Sequence, residues 1–308
     1  MIRRAGIPAL AIMLAMAGSA RAQEPAHPQE SARAQETART QEARTQETIE
    51  PDRPDVTNGT HIVDIGLLQV EIGGLYTHPG ADQGAWGSPF TARLGLLPWL
   101  EARIGTDGFV SQSDLLGRVT GLGNLQLGAK MRLWANPGGV PVLSILPTVN
   151  VPTASADKGL GSGDTDYTLA VLTGTDIGSH GHVDINYGIG AIGAGGGAPH
   201  FAQHLVSVSA SVAASANWNP YIETFWISRQ ESAGGAIAAF DLGAIYELGS
   251  RFAIDGGIQI GVSGSAPDLA AFGGLSIIVG DVLGKHGVHA RQRHAQERAR
   301  GGRPSTRR

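Results

Sequence analysis

Turn residues divide the chain between about residues 65 and 279 into segments whose connections alternate short and long. The short ones are Leu97-Pro98-Trp99, Asn136 to Gly139, Gly178 to Gly181, Asn217 to Pro220 and Glu247 to Arg251. The longer ones are His78 to Gly87, Thr106 to Thr120, Ala154 to Gly163, Gly193 to Pro199, Arg229 to Gly235 and Ser263 to Asp268. An up-and-down antiparallel barrel spanning an outer membrane has tight turns at one rim and longer loops at the other. A soluble sandwich has no reason to alternate in this way.

The segments between these connections predict twelve strands, near 65–77, 88–96, 99–109, 121–135, 140–153, 164–177, 182–192, 200–216, 221–229, 235–247, 251–262 and 268–279. An even number is what a closed single-chain barrel requires. Within the segments apolar and polar residues alternate, the period of a strand with one apolar face. Leu125, Leu127, Ala129, Met131 and Leu133 oppose Gln126, Gly128, Lys130 and Arg132. Val183, Ile185, Tyr187 and Ile189 oppose Asp184, Asn186 and Gly188, and Leu68, Val70 and Ile72 oppose Gln69, Glu71 and Gly73. Full charges on the polar face suit a lumen, with the apolar face turned to lipid. Aromatic residues near segment ends, namely Tyr76, Trp86, Trp99, Phe109, Trp134, Trp218, Tyr221 and Tyr246, suggest interfacial girdles.

Four regions follow along the chain. Residues 1–22 read as a signal peptide: Arg3 and Arg4, a short apolar core from Ile7 to Ala17, and an Ala20-Arg21-Ala22 cleavage site. Residues 23–55 are a low-complexity, near-repeating segment too polar to bury a core, expected to lie in the periplasm as a spacer. Residues 56–284 form the barrel, with 8 basic and 18 acidic residues, a net charge of −10. Residues 285–308 are a basic tail with Lys285 and seven arginines against Glu297, expected to be disordered. The chain has no cysteine, which excludes disulfides and thiolate metal sites.

No motif fixes an enzyme. Gly159 to Gly163 lacks the Lys-Ser/Thr of a nucleotide P-loop, His180 and His182 flank a tight turn without an evident third metal ligand, and neither G-x-S-x-G nor H-E-x-x-H occurs. The candidate functional residues are the ionisable groups that the alternation points inward: Glu71, Arg93, Glu101, Arg103, Lys130, Arg132, Asp184, Glu223, Arg229, Asp241, Glu247 and Asp255. They would either line an open pore and set its selectivity or pair with one another and fill the interior.

Several pieces resemble one known family. They are Pro51-Asp52-Arg53-Pro54-Asp55-Val56-Thr57-Asn58-Gly59, Leu67 to Gly73, Gly121 to Lys130, Leu146 to Thr153 and Gly161 to Asp164. Their order and spacing over roughly 51–280 are similar to the outer-membrane barrels labelled "putative MetA-pathway of phenol degradation". The resemblance implies a transporter-like barrel linked to uptake of aromatic or other hydrophobic compounds, with no agreed catalytic residues.

The expected protein is thus an all-β transmembrane barrel in the bacterial outer membrane, a porin-like channel or transporter for small molecules. Its partners would be outer-membrane lipid, a small-molecule solute and the barrel-assembly machinery, with no nucleic acid. No catalytic, metal or cofactor site is expected, so the protein is read as no enzyme. The alternatives are a non-conducting structural or surface-binding barrel, a hydrolase with a site on its outer loops, and a soluble periplasmic β protein.

Overall fold

The computed structural model describes residues 49–53, 56–78, 84–114, 117–135 and 141–285. The expected signal peptide, almost all of the 23–55 segment and nearly the whole basic tail lie outside them. Fifteen strands are present: β1 (Leu67–His78), β2 (Gly84–Gly87), β3 (Phe90–Leu97), β4 (Leu100–Thr106), β5 (Phe109–Asp114), β6 (Gly117–Leu122), β7 (Leu125–Trp134), β8 (Val142–Val151), β9 (Asp166–Ile177), β10 (Gly181–Ile192), β11 (Phe201–Val212), β12 (Trp218–Ile227), β13 (Ile237–Gly249), β14 (Phe252–Gly261) and β15 (Leu269–Asp281). The only helical element described is a single 3-10 turn, Ala156–Lys158.

Fifteen segments make a barrel of twelve staves because three staves are interrupted. β2 runs on into β3, β4 into β5 and β6 into β7, with two-residue breaks at Ser88-Pro89, Asp107-Gly108 and Gly123-Asn124. The breaks lie side by side and are stitched together: the Ser88 amide donates to the Phe109 carbonyl and the Gly123 amide to the Gly108 carbonyl. β15 pairs with β1 from Leu67↔Asp281 to His78↔Leu269, which closes the antiparallel sheet and leaves no seam.

The connections sort by rim. One rim is where β3 meets β4, β7 meets β8, β9 meets β10, β11 meets β12 and β13 meets β14; the other is where β1 meets β2, β5 meets β6, β8 meets β9, β10 meets β11, β12 meets β13 and β14 meets β15. The expected loop from Thr106 to Thr120 is instead mostly strand, a β5–β6 hairpin paired out to Asp114↔Gly117 that extends the wall at the long-loop rim. Asp107-Gly108 resembles a turn signal, but here it only kinks one stave. Gly108 has φ +67°, and a Cβ there would stand 1.9 Å from the Ser88 oxygen, so only glycine fits the kink.

Alternation places side chains as the two-residue period requires. Ile72, Ile104, Leu127, Ile185, Ile222, Leu242 and Ile258 form an exposed outer belt. A continuous apolar belt of this kind marks a lipid-facing surface. Trp99, Trp134, Trp218 and Tyr246 flank it at the short-turn rim, and Tyr76, Trp86, Tyr167 and Trp226 at the long-loop rim, whereas Phe109, expected in a girdle, starts β5 at the break in its stave and lies within the belt. Tyr221 departs from the expected girdle: it is buried and on the inward face, at a position where a Cβ on Gly243 would meet its ring.

The interior is not empty. Residues 49–53 and 56–66 belong to a loop whose described parts rise from the short-turn rim and return to it. Its first foot is the Ile49 amide on the Ser250 carbonyl, and its second is Ile65, bridged to Gly95. Ile49 and Val63 pack with Leu67, Ala253 and Ile278 in one apolar cluster. Nearer the far rim Val56 packs against Phe225, Ile237 and Ala239. Residues 49–53, assigned from sequence to the segment before the barrel, are therefore inside it.

Candidate functional site

The site is the contact between this loop and the inner wall. Alternation brings Glu71 on β1, Arg93 on β3, Glu101 and Arg103 on β4 and Lys130 on β7 to one side of the lumen, where the loop adds Asp52. Arg93 is fully buried and has no donor to spare. It gives Nε and Nη2 to the two oxygens of Glu101 at 2.8 and 3.0 Å, and Nη1 to Glu71 and to the Glu50 carbonyl at 2.9 and 3.0 Å. Lys130, equally buried, donates to Asp52 at 2.5 Å and to the Gly59 carbonyl at 2.8 Å. Arg103 reaches Asp52 at 2.7 Å and the side-chain oxygen of Asn58 at 3.2 Å. Three acids, Asp52, Glu71 and Glu101, thus face three bases, Arg93, Arg103 and Lys130. A buried ionic group survives only when balanced in this way and also hydrogen-bonded.

Across the lumen the wall has the opposite sign. Glu223 on β12 accepts hydrogen bonds from the loop amides of Val56 at 2.9 Å and Thr57 at 2.6 Å, and from the Thr57 hydroxyl. Asp241 on β13 is its direct register partner. Asp255 on β14 accepts from Arg53 at 3.4 Å. Successive residues of an extended chain point to opposite sides, so the loop's consecutive Asp52 and Arg53 bridge the basic arc of β3, β4 and β7 and the acidic arc of β12 to β14.

The remaining expected residues lie elsewhere. Arg132 on β7, Asp184 on β10 and Glu247 on β13 line a cavity of about 520 Å³ that opens toward the short-turn rim. There His182 holds Asp176 at 2.7 Å and Asp184 at 3.2 Å through its two ring nitrogens. Arg229 lies past the end of β12, its guanidinium 5.6 Å from the centre of the Phe201 ring. A second cavity of about 550 Å³ opens toward the long-loop rim, with Leu146, Ala170, Leu205 and Ile227 among its apolar lining and Arg53 and Arg103 among its polar lining. Asp52 borders both, so the loop divides the lumen in two. Among the described residues no three or more histidines or carboxylates are grouped to hold a metal ion.

Reasoning from strand alternation missed the loop's own contributions, Asp52 and Arg53. Their one signal was the Pro51 to Gly59 piece that carries the family resemblance. Backbone carbonyls of Glu50, Gly59, Thr60 and His61, which accept from Arg93, Lys130 and Ser144, leave no trace in the sequence.

These features define a closed twelve-stranded β-barrel of the outer-membrane type, with a lumen occupied by its own N-terminal loop. The chain belongs to the family described as "Putative MetA-pathway of phenol degradation", whose pattern it matches over residues 51–278. Among solved structures the outer membrane channel from Pseudomonas putida F1 is similar, with a TM-score of 0.59 at 14% identity over 74% of this chain and 100% of that one. The KdgM porin gives 0.45 at 7% over 69% and 99%, and the CymD monoaromatic hydrocarbon channel 0.40 at 10% over 70% and 89%. No curated protein sequence matches the chain.

Proposed function

We propose that the protein is an outer-membrane channel for small molecules, exported by its N-terminal signal, and that the loop of residues 49–66 is its gate. The observation that carries this reading is the wall beneath the loop. A barrel built only for structure would fill its interior with side chains from its own strands, as small closed barrels do. Here the strands leave a charged lumen, and a separate segment neutralises it through Asp52 and Arg53. Displacing that segment joins the two cavities into one passage between the rims.

The outer cavity supports aromatic or other hydrophobic solutes, because Leu146, Leu205 and Ile227 give it an apolar side and its volume exceeds that of a single aromatic ring. The family description points the same way. The reading is of a channel rather than an enzyme.

Purified protein in planar bilayers tests it. Conductance steps that lengthen when Asp52 is neutralised support a gated channel. A silent bilayer with both wild type and variant refutes conduction and leaves a structural barrel.

A further inference from the structure

The face of the barrel wall at the β1–β2–β5–β6 extension grades from apolar to polar on its outward side. In the β5–β6 hairpin the outward register pairs are Phe109↔Leu122, then Ser111↔Thr120, then Ser113↔Arg118. Each step is about 7 Å along the strand. Phe109 and Leu122 are exposed and continue the lipid-facing belt, and Arg118 is exposed beyond them. The neighbouring staves repeat the gradient. Ile72 is followed by Gly74, then by the pair Tyr76↔Trp86, then by His78. The Trp86 ring reaches over Gly74, where a Cβ would stand 2.7 Å from the indole, so the absence of a side chain at Gly74 gives the ring its place.

Between these residues a shallow cavity of about 280 Å³ opens outward, lined by Tyr76, His78, Trp86, Ser111, Ser113 and Arg118. The inward face of the same strands lines a different cavity through Leu75, Thr77, Val110 and Gln112. Two rings, an imidazole and a guanidinium thus meet at the margin of the apolar belt nearest the long-loop rim. Indole and phenol rings favour the membrane interface. A guanidinium forks onto phosphate oxygens, while the two serines shape the floor of the site, Ser113 donating to the Gly84 carbonyl at 2.9 Å and Ser111 being buried.

We propose that this face binds the phosphorylated sugar headgroup of an outer-leaflet glycolipid, with phosphate at Arg118 and His78 and the sugar against Trp86 and Tyr76. The site rests on the outer-membrane reading but not on conduction, and it fixes one side of the barrel against the lipid.

The test uses the full chain in detergent micelles, with native mass spectrometry counting bound lipid during titration with bisphosphorylated lipid A and with its phosphate-free form. The phosphorylated lipid is expected to bind about tenfold tighter, the scale of one charge-assisted hydrogen bond. The double variant Arg118→Ala/His78→Ala should lose that preference, Arg118→Lys should keep part of it, and Arg229→Ala, a charge removed elsewhere on the same rim, should keep all of it. Equal binding of the two lipids by wild type overturns the proposal, as does a double variant that retains the preference. Mobility of unboiled against boiled protein on a gel shows that each variant is folded, and because no step measures current, failure here is distinct from failure of the channel.

Discussion

Replacing Asp52 by Asn removes one charge from a sealed ionic cluster and keeps the side chain's shape. Wild type balances Arg93, Arg103 and Lys130 against Asp52, Glu71 and Glu101. In the variant three bases face two acids, and Lys130 and Arg93, both fully buried, are left with an uncompensated positive charge. Breaking a buried pair in this way costs about 3–5 kcal/mol. The barrel need not unfold to escape that cost, because withdrawal of the loop lets water reach the cations. The penalty therefore falls on the closed arrangement. At about 1.4 kcal/mol per tenfold, it shifts the closed-to-open ratio by roughly two to three and a half powers of ten. The assay is single-channel recording of wild type, Asp52→Asn and Asp52→Asn/Lys130→Met. The single variant should be open far more of the time. The double variant, in which Arg93 and Arg103 again match Glu71 and Glu101, should close again, since coupled partners are not additive. An open fraction unchanged in the single variant, or a double variant as open as the single, would refute the reasoning.

Other outcomes follow from the same contacts. Gly95→Val should open or destabilise the barrel, because a Cβ at Gly95 would stand 2.2 Å from the carbonyl oxygens of Val63 and Asp64 where the loop returns; overpacking of this kind costs about 1–3 kcal/mol, read as a lower temperature for loss of the compact gel band. Arg132→Glu, in the cavity at the short-turn rim, should raise cation over anion preference in reversal-potential measurements while leaving the open fraction near wild type. Lys130→Glu should instead act on the open fraction, because its amine is committed to Asp52 and the Gly59 carbonyl. Urea-washed membranes should retain the wild-type protein in a form that changes mobility on boiling, whereas release into the wash would contradict a spanning barrel.

Much of the barrel was legible because lipid on one side and charge on the other enforce strict alternation. Leu125 to Leu133 and Val183 to Ile189 needed no more than parity. The interrupted staves were harder. Ser88-Pro89, Asp107-Gly108 and Gly123-Asn124 carry the proline, glycine and Asx residues of ordinary turns, and only their alignment across neighbouring strands makes them kinks in a continuous wall. Tyr221 was misassigned to a girdle because an aromatic residue near a strand end has the same local signature on either face. The loop was least legible. It has no periodicity, its anchors are two adjacent charges and several backbone carbonyls, and its partners lie up to 220 residues away, as Arg53 to the Gly273 carbonyl shows. A polar segment rich in proline and aspartate reads as a linker until the wall that neutralises it is in place.

Both feet of the loop stand on the same rim, at Ser250 and at Gly95. The described segment therefore enters the barrel as a bight, like a rope folded into a ring, with both feet at the rim by which it entered. A bight slips out whatever is fastened to the standing part, so a folded or bound object on the preceding residues would not hinder it. Tension along the chain from that side would draw on Ile49 first and peel the segment from the rim inward, one anchor after another, instead of shearing Asp52 and Arg53 together.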